Sequence, residues 1–292
     1  MLDRIHALFI SCISWIMITL SLQTHAADFH SPRTDGLGGA GHASPLLTDA
    51  IYLNPSFTSF MFTHALSTHY LSYCCGTQQT PQGPTDFHGH NLNISVLDGT
   101  TEAIFQAGVG YTRREDAALL HIGASKSIAR RLGIGTGVKV IFPNEKFASR
   151  ITDATFSASG LISSWFQSAL IIDNLFESAQ DRSFYRDFIL GTKFNITKII
   201  LLYLDPHWMP SLPQDKARWG YQTGLEFPFF SELFLRMGIF KNSMIPYQAQ
   251  LGDGYGFGLG WLAPRLSVDY AFSRVTQPLS SLAHNFGFSI YF

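Results

Sequence analysis

The chain ends in the stretch AHNFGFSIYF, residues Ala283–Phe292, in which bulky apolar residues alternate with small or polar ones. Successive side chains of a β-strand point to opposite faces of the sheet. One face of this stretch therefore carries Phe286, Phe288, Ile290 and Phe292. The pattern predicts a strand with one strongly apolar surface.

The same alternation recurs from about residue 64 onward, for example in Arg265–Ser273. Most of the segments have about the 9–11 residues of a tilted membrane strand. The fourteen predicted strands are His64–Cys75, His88–Leu97, Glu102–Thr112, Ala117–Lys126, Leu132–Phe142, Ala154–Ser164, Phe166–Asp173, Arg186–Ile196, Thr197–Asp205, Ala217–Phe227, Glu232–Phe240, Gly254–Leu262, Arg265–Ser273 and Ala283–Phe292. Without the two weakest segments, Phe166–Asp173 and Thr197–Asp205, twelve strands would remain. Both numbers are even, as is typical of bacterial membrane barrels.

The composition favours a membrane protein. Charged residues make up only 14% of the 292 residues, against about 25% in an average soluble protein. After the N-terminus, no apolar run reaches the roughly 18–20 residues of a spanning helix. Lys and Arg number 20 and Asp and Glu 21, so no positive field attracts a nucleic acid. We expect an all-β transmembrane antiparallel barrel of about fourteen strands, or twelve, in the bacterial outer membrane.

The chain divides into three parts. Met1–Ala26 is typical of a secretory signal peptide, because Arg4 precedes the apolar stretch Ala7–Leu22. An uncleaved anchor helix is the alternative. Ala27–Thr63 is irregular and Gly-rich, and we expect it to form a small plug in the lumen. His64–Phe292 forms the predicted barrel.

The predicted connections are of two kinds, since bacterial barrels have short periplasmic turns and longer outer loops. The longer loops are Gly76–Phe87, Asp205–Lys216 and Lys241–Asp253. Aromatic residues near strand ends are expected to form interfacial girdles; they are Trp165, Trp208, Trp219, Trp261 and Tyr291.

Two adjacent cysteines, Cys74 and Cys75, lie in the first predicted strand. Neighbouring strand residues point to opposite faces, so a bond between them would be strained. We expect two unpaired, small apolar residues. A vicinal disulfide or an intermolecular thiol bond remains the alternative.

Three segments carry a resemblance to a known family. The first is GLGGAG at Gly36–Gly41, followed by Asp49-Ala50 and Asn54-Pro55-Ser56; the others are Ile171–Leu175 and the two terminal strands. Together they resemble the FadL-type outer-membrane family, which includes long-chain fatty acid transporters and a PorV-like, secretion-associated branch. The resemblance implies a fourteen-strand barrel with an N-terminal plug. Its plug motif corresponds to Gly36, Gly38, Gly39, Gly41, Asn54 and Pro55.

Other chemistry is not expected. Gly36–Gly41 also satisfies the GxGxxG pattern, but a dinucleotide site needs a preceding strand within a βαβ unit. His88 and His90 could share a strand face, yet a full set of metal ligands is missing from the neighbouring sequence. No local hydrolase signature is present. We expect no enzyme activity, no cofactor and no metal.

Five charged residues fall on the inward face by alternation: Lys139, Lys193, Glu226, Arg236 and Asp269. Two interpretations remain open. The charges could be solvated or paired with each other inside the barrel. Alternatively, Lys139, Lys193 or Arg236 could anchor the carboxylate of a ligand.

The predicted function is passive uptake of small hydrophobic compounds such as fatty acids. The alternative is a PorV-like structural or secretion-associated barrel that binds protein partners. The expected partners are the lipid bilayer, hydrophobic small molecules and the barrel-insertion machinery. That machinery would recognise the terminal residues Phe288, Ile290 and Phe292.

Overall fold

The computed structural model describes residues 29–80, 83–100, 104–144, 149–178, 185–197, 199–210, 217–230, 232–248 and 250–292, excepting the side chains of residues 77–87. The predicted signal peptide Met1–Ala26 lies outside the described residues. The first two residues of the predicted plug lie outside them as well.

Fourteen antiparallel strands form the wall. They are β1 (Ala65–Thr80), β2 (Gly83–Asp98), β3 (Gln106–Arg113), β4 (Ala117–Ala129), β5 (Leu132–Pro143), β6 (Ile151–Gly160), β7 (Phe166–Asp173), β8 (Asp187–Ile196), β9 (Ile200–Met209), β10 (Arg218–Phe229), β11 (Leu233–Met244), β12 (Leu251–Ala263), β13 (Leu266–Gln277) and β14 (Ser281–Tyr291). Each strand pairs with the next, and β14 pairs with β1, which closes the barrel. The predicted fourteen-strand barrel is confirmed. The two weakest predicted segments are present as β7 and β9.

All three predicted longer loops overlap strands, and Asp205–Lys216 loses its first residues to β9, which continues to Met209. Most of the predicted loop Gly76–Phe87 belongs to β1 and β2, which stay paired up to Thr80 and Gly83. The predicted loop Lys241–Asp253 shortens to residues 245–250, because β11 and β12 extend into it. The sequence of Gly76–Phe87 is polar and contains both Pro and Gly, which is typical of a turn. A hairpin that needs no apolar face can still satisfy its backbone groups by strand pairing.

The expectation that Cys74 and Cys75 stay unpaired is also wrong. They form a vicinal disulfide at a bulge, where the register of β1 and β2 shifts between Tyr73 and Gly76. Cys75 has a φ of 69°. A bulge interrupts the regular alternation of side chains, so the two cysteines do not follow the rule on which the expectation rested.

The first and last residues of the barrel wall lie at the same end of the barrel, where the connections between strands are shorter on the whole. Strands β4 and β5 are joined by residues 130–131, and β12 and β13 by residues 264–265. At this end His64 and Phe292 exchange backbone hydrogen bonds of 3.0 and 3.1 Å. Since bacterial barrels have short periplasmic turns, we call this the inner end and the opposite end the outer end.

Residues 29–60, which we call the luminal segment, fold inside the barrel. The segment contains helix α1 (Pro32–Gly36), helix α2 (Asp49–Leu53) and a 3₁₀ helix (Pro55–Phe60). Helix α1 begins with Pro32, and the Ser31 Oγ accepts the Thr34 N–H at 3.2 Å, a common N-terminal cap. Nearly every residue of the segment is buried. No helix among the described residues has the length and apolarity needed to cross a membrane.

Glycines of the wall let the luminal segment approach the strands closely. A Cβ on Gly238 of β11 would lie 2.0 Å from the carbonyl carbon of Leu37. A Cβ on Gly256 of β12 would lie 1.8 Å from the carbonyl oxygen of Asp35. Gly38 has a φ of +65°, which favours glycine. The glycines on the inward face therefore mark the contact between wall and segment.

Candidate functional site

Four charged side chains meet inside the barrel towards its inner end. The Glu226 Oε2 of β10 accepts from Nε of Arg33 at 3.1 Å and from Nε of Arg236 at 2.7 Å. Arg236 on β11 also donates through Nη1 to Asp269 on β13. These side chains are at most 12% exposed. Two guanidinium groups face two carboxylates, so the buried charges compensate each other.

Tyr203 of β9 joins this network to Lys193 of β8. Arg33 donates through Nη2 to the Tyr203 hydroxyl at 2.8 Å. The Lys193 Nζ donates to Ser44 Oγ at 3.0 Å and lies 5.8 Å from the centroid of the Tyr203 ring. Among the described residues, no carboxylate forms an ion pair with Lys193. Its charge is therefore compensated less directly than that of Arg236.

Helix α2 adds one more acidic group to the luminal segment. Burial raises the pKa of Asp49 to about 6, although a hydrogen bond from Ser31 and the charge of Arg33 act in the opposite direction. The Ser31 Oγ donates to Asp49 Oδ2 at 2.7 Å. The carboxyl group lies in the luminal segment and not in a spanning strand.

A cavity of about 120 Å³ lies beside the charged network. Its lining combines cationic, acidic and apolar side chains, which include Arg33, Lys193, Arg236, Glu226, Asp269, Phe234 and Leu262. The cavity has room for several water molecules or for the polar head of an amphiphile. Since Glu226 and Asp269 accept from the two arginines, Lys193 is the lining cation that could meet an anionic group.

Lys139 lies apart from the other predicted residues, nearer the outer end. Its Nζ donates to Asp173 and, at 2.9 Å, to Asn174 Oδ1. It lines a smaller cavity of about 50 Å³. The structure thus brings Lys193, Glu226, Arg236 and Asp269 together and separates Lys139 from them.

A second attachment of the luminal segment uses Asp205 of β9, whose side chain is 0% exposed. Its Oδ2 accepts the N–H groups of Gly41 and His42 at 2.8 and 2.9 Å and contacts His42 Nδ1 at 2.9 Å. Its Oδ1 accepts the Thr192 N–H of β8 at 3.1 Å. The carboxylate therefore ties the GLGGAG stretch to the wall.

Sequence reasoning missed Arg33, Tyr203 and Asp205. Arg33 lies in an irregular segment, where no alternation rule assigns a side chain to a face. Asp205 was placed at the end of a predicted strand, although β9 continues to Met209. With the correct strand end, alternation alone would have placed Asp205 in the lumen.

The Asn54-Pro55 motif holds the second half of the luminal segment. The Asn54 Nδ2 donates to the His42 carbonyl at 2.7 Å and to Ser159 Oγ of β6 at 2.8 Å. The Ser56 N–H donates to Ser157 Oγ at 2.9 Å. Ser56 Oγ also lies 2.6 Å from Ser159 Oγ. The Ser56 side chain therefore adds a contact to the wall.

The outer mouth is narrowed by the connection between β11 and β12, which folds inward. Ile245 and Tyr247 are buried, and the Tyr247 ring stacks on Tyr73 at 4.6 Å. Arg114 donates through Nη1 to the carbonyl of Pro246 at 2.8 Å. The luminal segment is thus covered on its outer side by a mainly apolar layer.

Solved structures of FadL-type proteins share this fold. The Ralstonia pickettii toluene transporter TbuX superposes with a TM-score of 0.65 and 10% identity, covering 91% of this chain and 99% of that one. A Pseudomonas aeruginosa FadL homologue has a TM-score of 0.64 and 13% identity, covering 92% and 99%. The Pseudomonas putida toluene transporter TodX has a TM-score of 0.63 and 10% identity, covering 91% and 99%. No protein-family model and no curated protein sequence matches the chain.

These similarities confirm the expected FadL-type fold. The chain folds as a closed barrel of fourteen strands with residues 29–60 inside the lumen, and it shares the overall fold of these proteins.

Proposed function

We propose that this barrel is a passive channel for small hydrophobic compounds across the outer membrane, with the luminal segment as its plug. The observation that carries the proposal is the filling of a closed fourteen-strand barrel by residues 29–60. A barrel of this strand number has a lumen wide enough to leak if empty. The similar structures support a transport role, since TbuX and TodX are described as toluene transporters.

Amphiphiles with a carboxylate, such as fatty acids, are the ligand class that the inner cavity suits best. Lys139 and Arg236 already donate to carboxylates. Lys193 lines the cavity and donates to the neutral Ser44 hydroxyl. An ammonium group carries three donors, so Lys193 retains capacity for a ligand carboxylate. The neighbouring Phe234 and Leu262 would contact the apolar body of the ligand.

Partner binding without transport is the weaker interpretation. The similar structures are described as transporters or as a FadL homologue. A channel requires no catalysis. The driving force for capture of a hydrophobic compound is the transfer of its apolar surface out of water.

The test uses cells that lack their own hydrophobic-compound channels and express this chain. We expect entry of labelled toluene and of a labelled fatty acid, each above the level of cells with an empty vector. Failure of both compounds to enter, at normal levels of the barrel in the membrane, would refute the channel.

The variant Lys193→Gln then separates the two ligand classes. A hydrogen bond to a charged group is worth about 1.5–3 kcal/mol, so fatty acid binding should weaken at least about tenfold. Toluene entry should not change, because toluene has no carboxylate. The control Lys126→Gln removes an exposed cation of β4 that lies outside the lumen. Equal fatty acid affinity of wild type and Lys193→Gln would exclude Lys193 as the anchor.

A further inference from the structure

Two cations lie on the lipid-facing side of the barrel within a row of aromatic residues. Lys241 of β11 and Arg274 of β13 are exposed, and they point outward because their neighbours Phe240, Ser273 and Val275 point inward. Lys241 pairs across the strands with Tyr221, and Arg274 pairs with Tyr255. The row therefore alternates tyrosine, lysine, tyrosine and arginine over β10–β13.

The four side chains lie at one height in the membrane. Barrel strands are tilted, so height depends on the distance from the inner end of each strand. Each of the four stands eight residues from that end: Tyr221 from Phe229, Lys241 from Leu233, Tyr255 from Ala263 and Arg274 from Leu266. At a tilt near 40°, eight residues rise about 20 Å, close to the height of the apolar band.

The same row continues as an aromatic belt. Phe188 and Trp208 also stand eight residues from the inner ends of β8 and β9. Their rings stack at 5.6 Å, and Trp208 stacks on Trp219 at 6.0 Å. Aromatic belts mark the boundary between the hydrocarbon and the headgroups. The row thus meets the headgroup layer of the outer leaflet.

Among the residues that the structure describes, neither cation has an acidic partner. Lys241 and Arg274 form no ion pair. Asp253, two residues before Tyr255 on β12, accepts the N–H of Asn242 at 2.9 Å. Lipid-facing cations are unfavourable in hydrocarbon and tolerated near the interface. Two uncompensated cations at this height call for an anionic partner from the membrane.

We propose that Tyr221, Lys241, Tyr255 and Arg274 bind the phosphorylated headgroup of an outer-leaflet glycolipid. Strands β11 and β13 are two strand spacings apart, about 10 Å, so the two long side chains can bracket one phosphate above Tyr255. Arg274 can donate to two phosphate oxygens at once, Lys241 supplies a point charge, and the tyrosine hydroxyls donate further hydrogen bonds. The acyl chains of the lipid then lie along the apolar outer surface.

The experiment measures thermal unfolding of the purified, delipidated barrel in detergent, with lipid A as the probe. We expect lipid A to raise the unfolding temperature of the wild type, whereas dephosphorylated lipid A has little effect. The double variant Lys241→Gln/Arg274→Gln should need at least tenfold more lipid A for half of the shift. Each single variant should show an intermediate loss, which keeps the test valid if the double variant inserts poorly.

The matched control is Lys126→Gln, which removes an exposed cation three residues from the inner end of β4. Its lipid A dependence should equal that of the wild type. The proposal is overturned if the double variant responds like the wild type, or if Lys126→Gln loses as much. It is also overturned if inorganic phosphate or dephosphorylated lipid A stabilises the wild type as strongly as lipid A does.

Discussion

Replacing Asp205 by Asn tests whether the luminal segment is held as a plug. The Asn side chain has nearly the same shape as that of Asp but carries no charge. Its amide group then faces the N–H donors that the carboxylate oxygen accepted from. The change weakens the charge-assisted hydrogen bonds from Gly41 and His42, whose distances to Oδ2 are 2.8 and 2.9 Å. Hydrogen bonds to charged groups contribute about 1.5–3 kcal/mol each, so the two together contribute about 3 kcal/mol or more.

That free energy sets the size of the expected effect. Since about 1.4 kcal/mol corresponds to a factor of ten, the population with a detached GLGGAG stretch should rise about 100-fold or more. Single-channel recording in planar bilayers should show open bursts for Asp205→Asn far more often than for the wild type. The current should increase without a change in the amount of inserted barrel.

A matched control is Asp153→Asn. Asp153 is also 0% exposed, but its carboxylate accepts the N–H groups of Phe176 and Ser178 after β7. It makes no hydrogen bond to the luminal segment among the described contacts. A silent Asp205→Asn trace from well-inserted protein would refute the plug. Equal opening by Asp153→Asn would show that the effect is one of general destabilisation.

Two further predictions concern the lipid-facing surface and pH. Leu259 is 59% exposed and stands four residues from the inner end of β12. This is half the distance to the aromatic row, and therefore near the middle of the apolar band. The variant Leu259→Arg should lower the free energy of unfolding by about 2–4 kcal/mol. Urea titration in detergent micelles or vesicles measures this change, with Leu259→Met as the control. Equal stability of the two variants would contradict the assignment of Leu259 to the lipid-facing side. Because the pKa of Asp49 is raised to about 6 in the folded state, its contribution to stability is full below pH 4 and is lost as the pH rises through 6. The stability of the wild type relative to Asp49→Asn should fall by about 2 kcal/mol from pH 4 to pH 7. Parallel pH profiles of the two proteins in thermal unfolding would exclude this titration.

The barrel was predictable because alternation is a local signal. The terminal strand Ala283–Phe292 and the weak segment Phe166–Asp173 both contain an outward apolar face, and both form strands. The hairpin of β1 and β2 was missed because, beyond the bilayer, the strands carry no apolar face. At Cys74 and Cys75 the rule itself fails, since a bulge breaks the alternation.

The candidate site was predictable only in part. Alternation assigned Lys193, Glu226, Arg236 and Asp269 to the inward face, but it cannot say which charges pair. Arg33 completes the network from a segment 193 residues away from Glu226 in the chain. Contacts of this kind depend on where the luminal segment docks, and neither periodicity nor composition contains that information.

The pattern of attachments indicates how such a plug would move. Its first half is tied to β10 through Arg33 and to β9 through Gly41 and His42. Its second half is tied to β6 through Asn54 and Ser56. The first half depends on charged partners, which weaken once water enters and solvates them. The second half depends on neutral hydrogen bonds in a tightly packed contact. We therefore expect a ligand that reaches Lys193 to displace residues 33–44 while residues 54–60 stay in place, so that opening is a local rearrangement and not an expulsion of the whole segment.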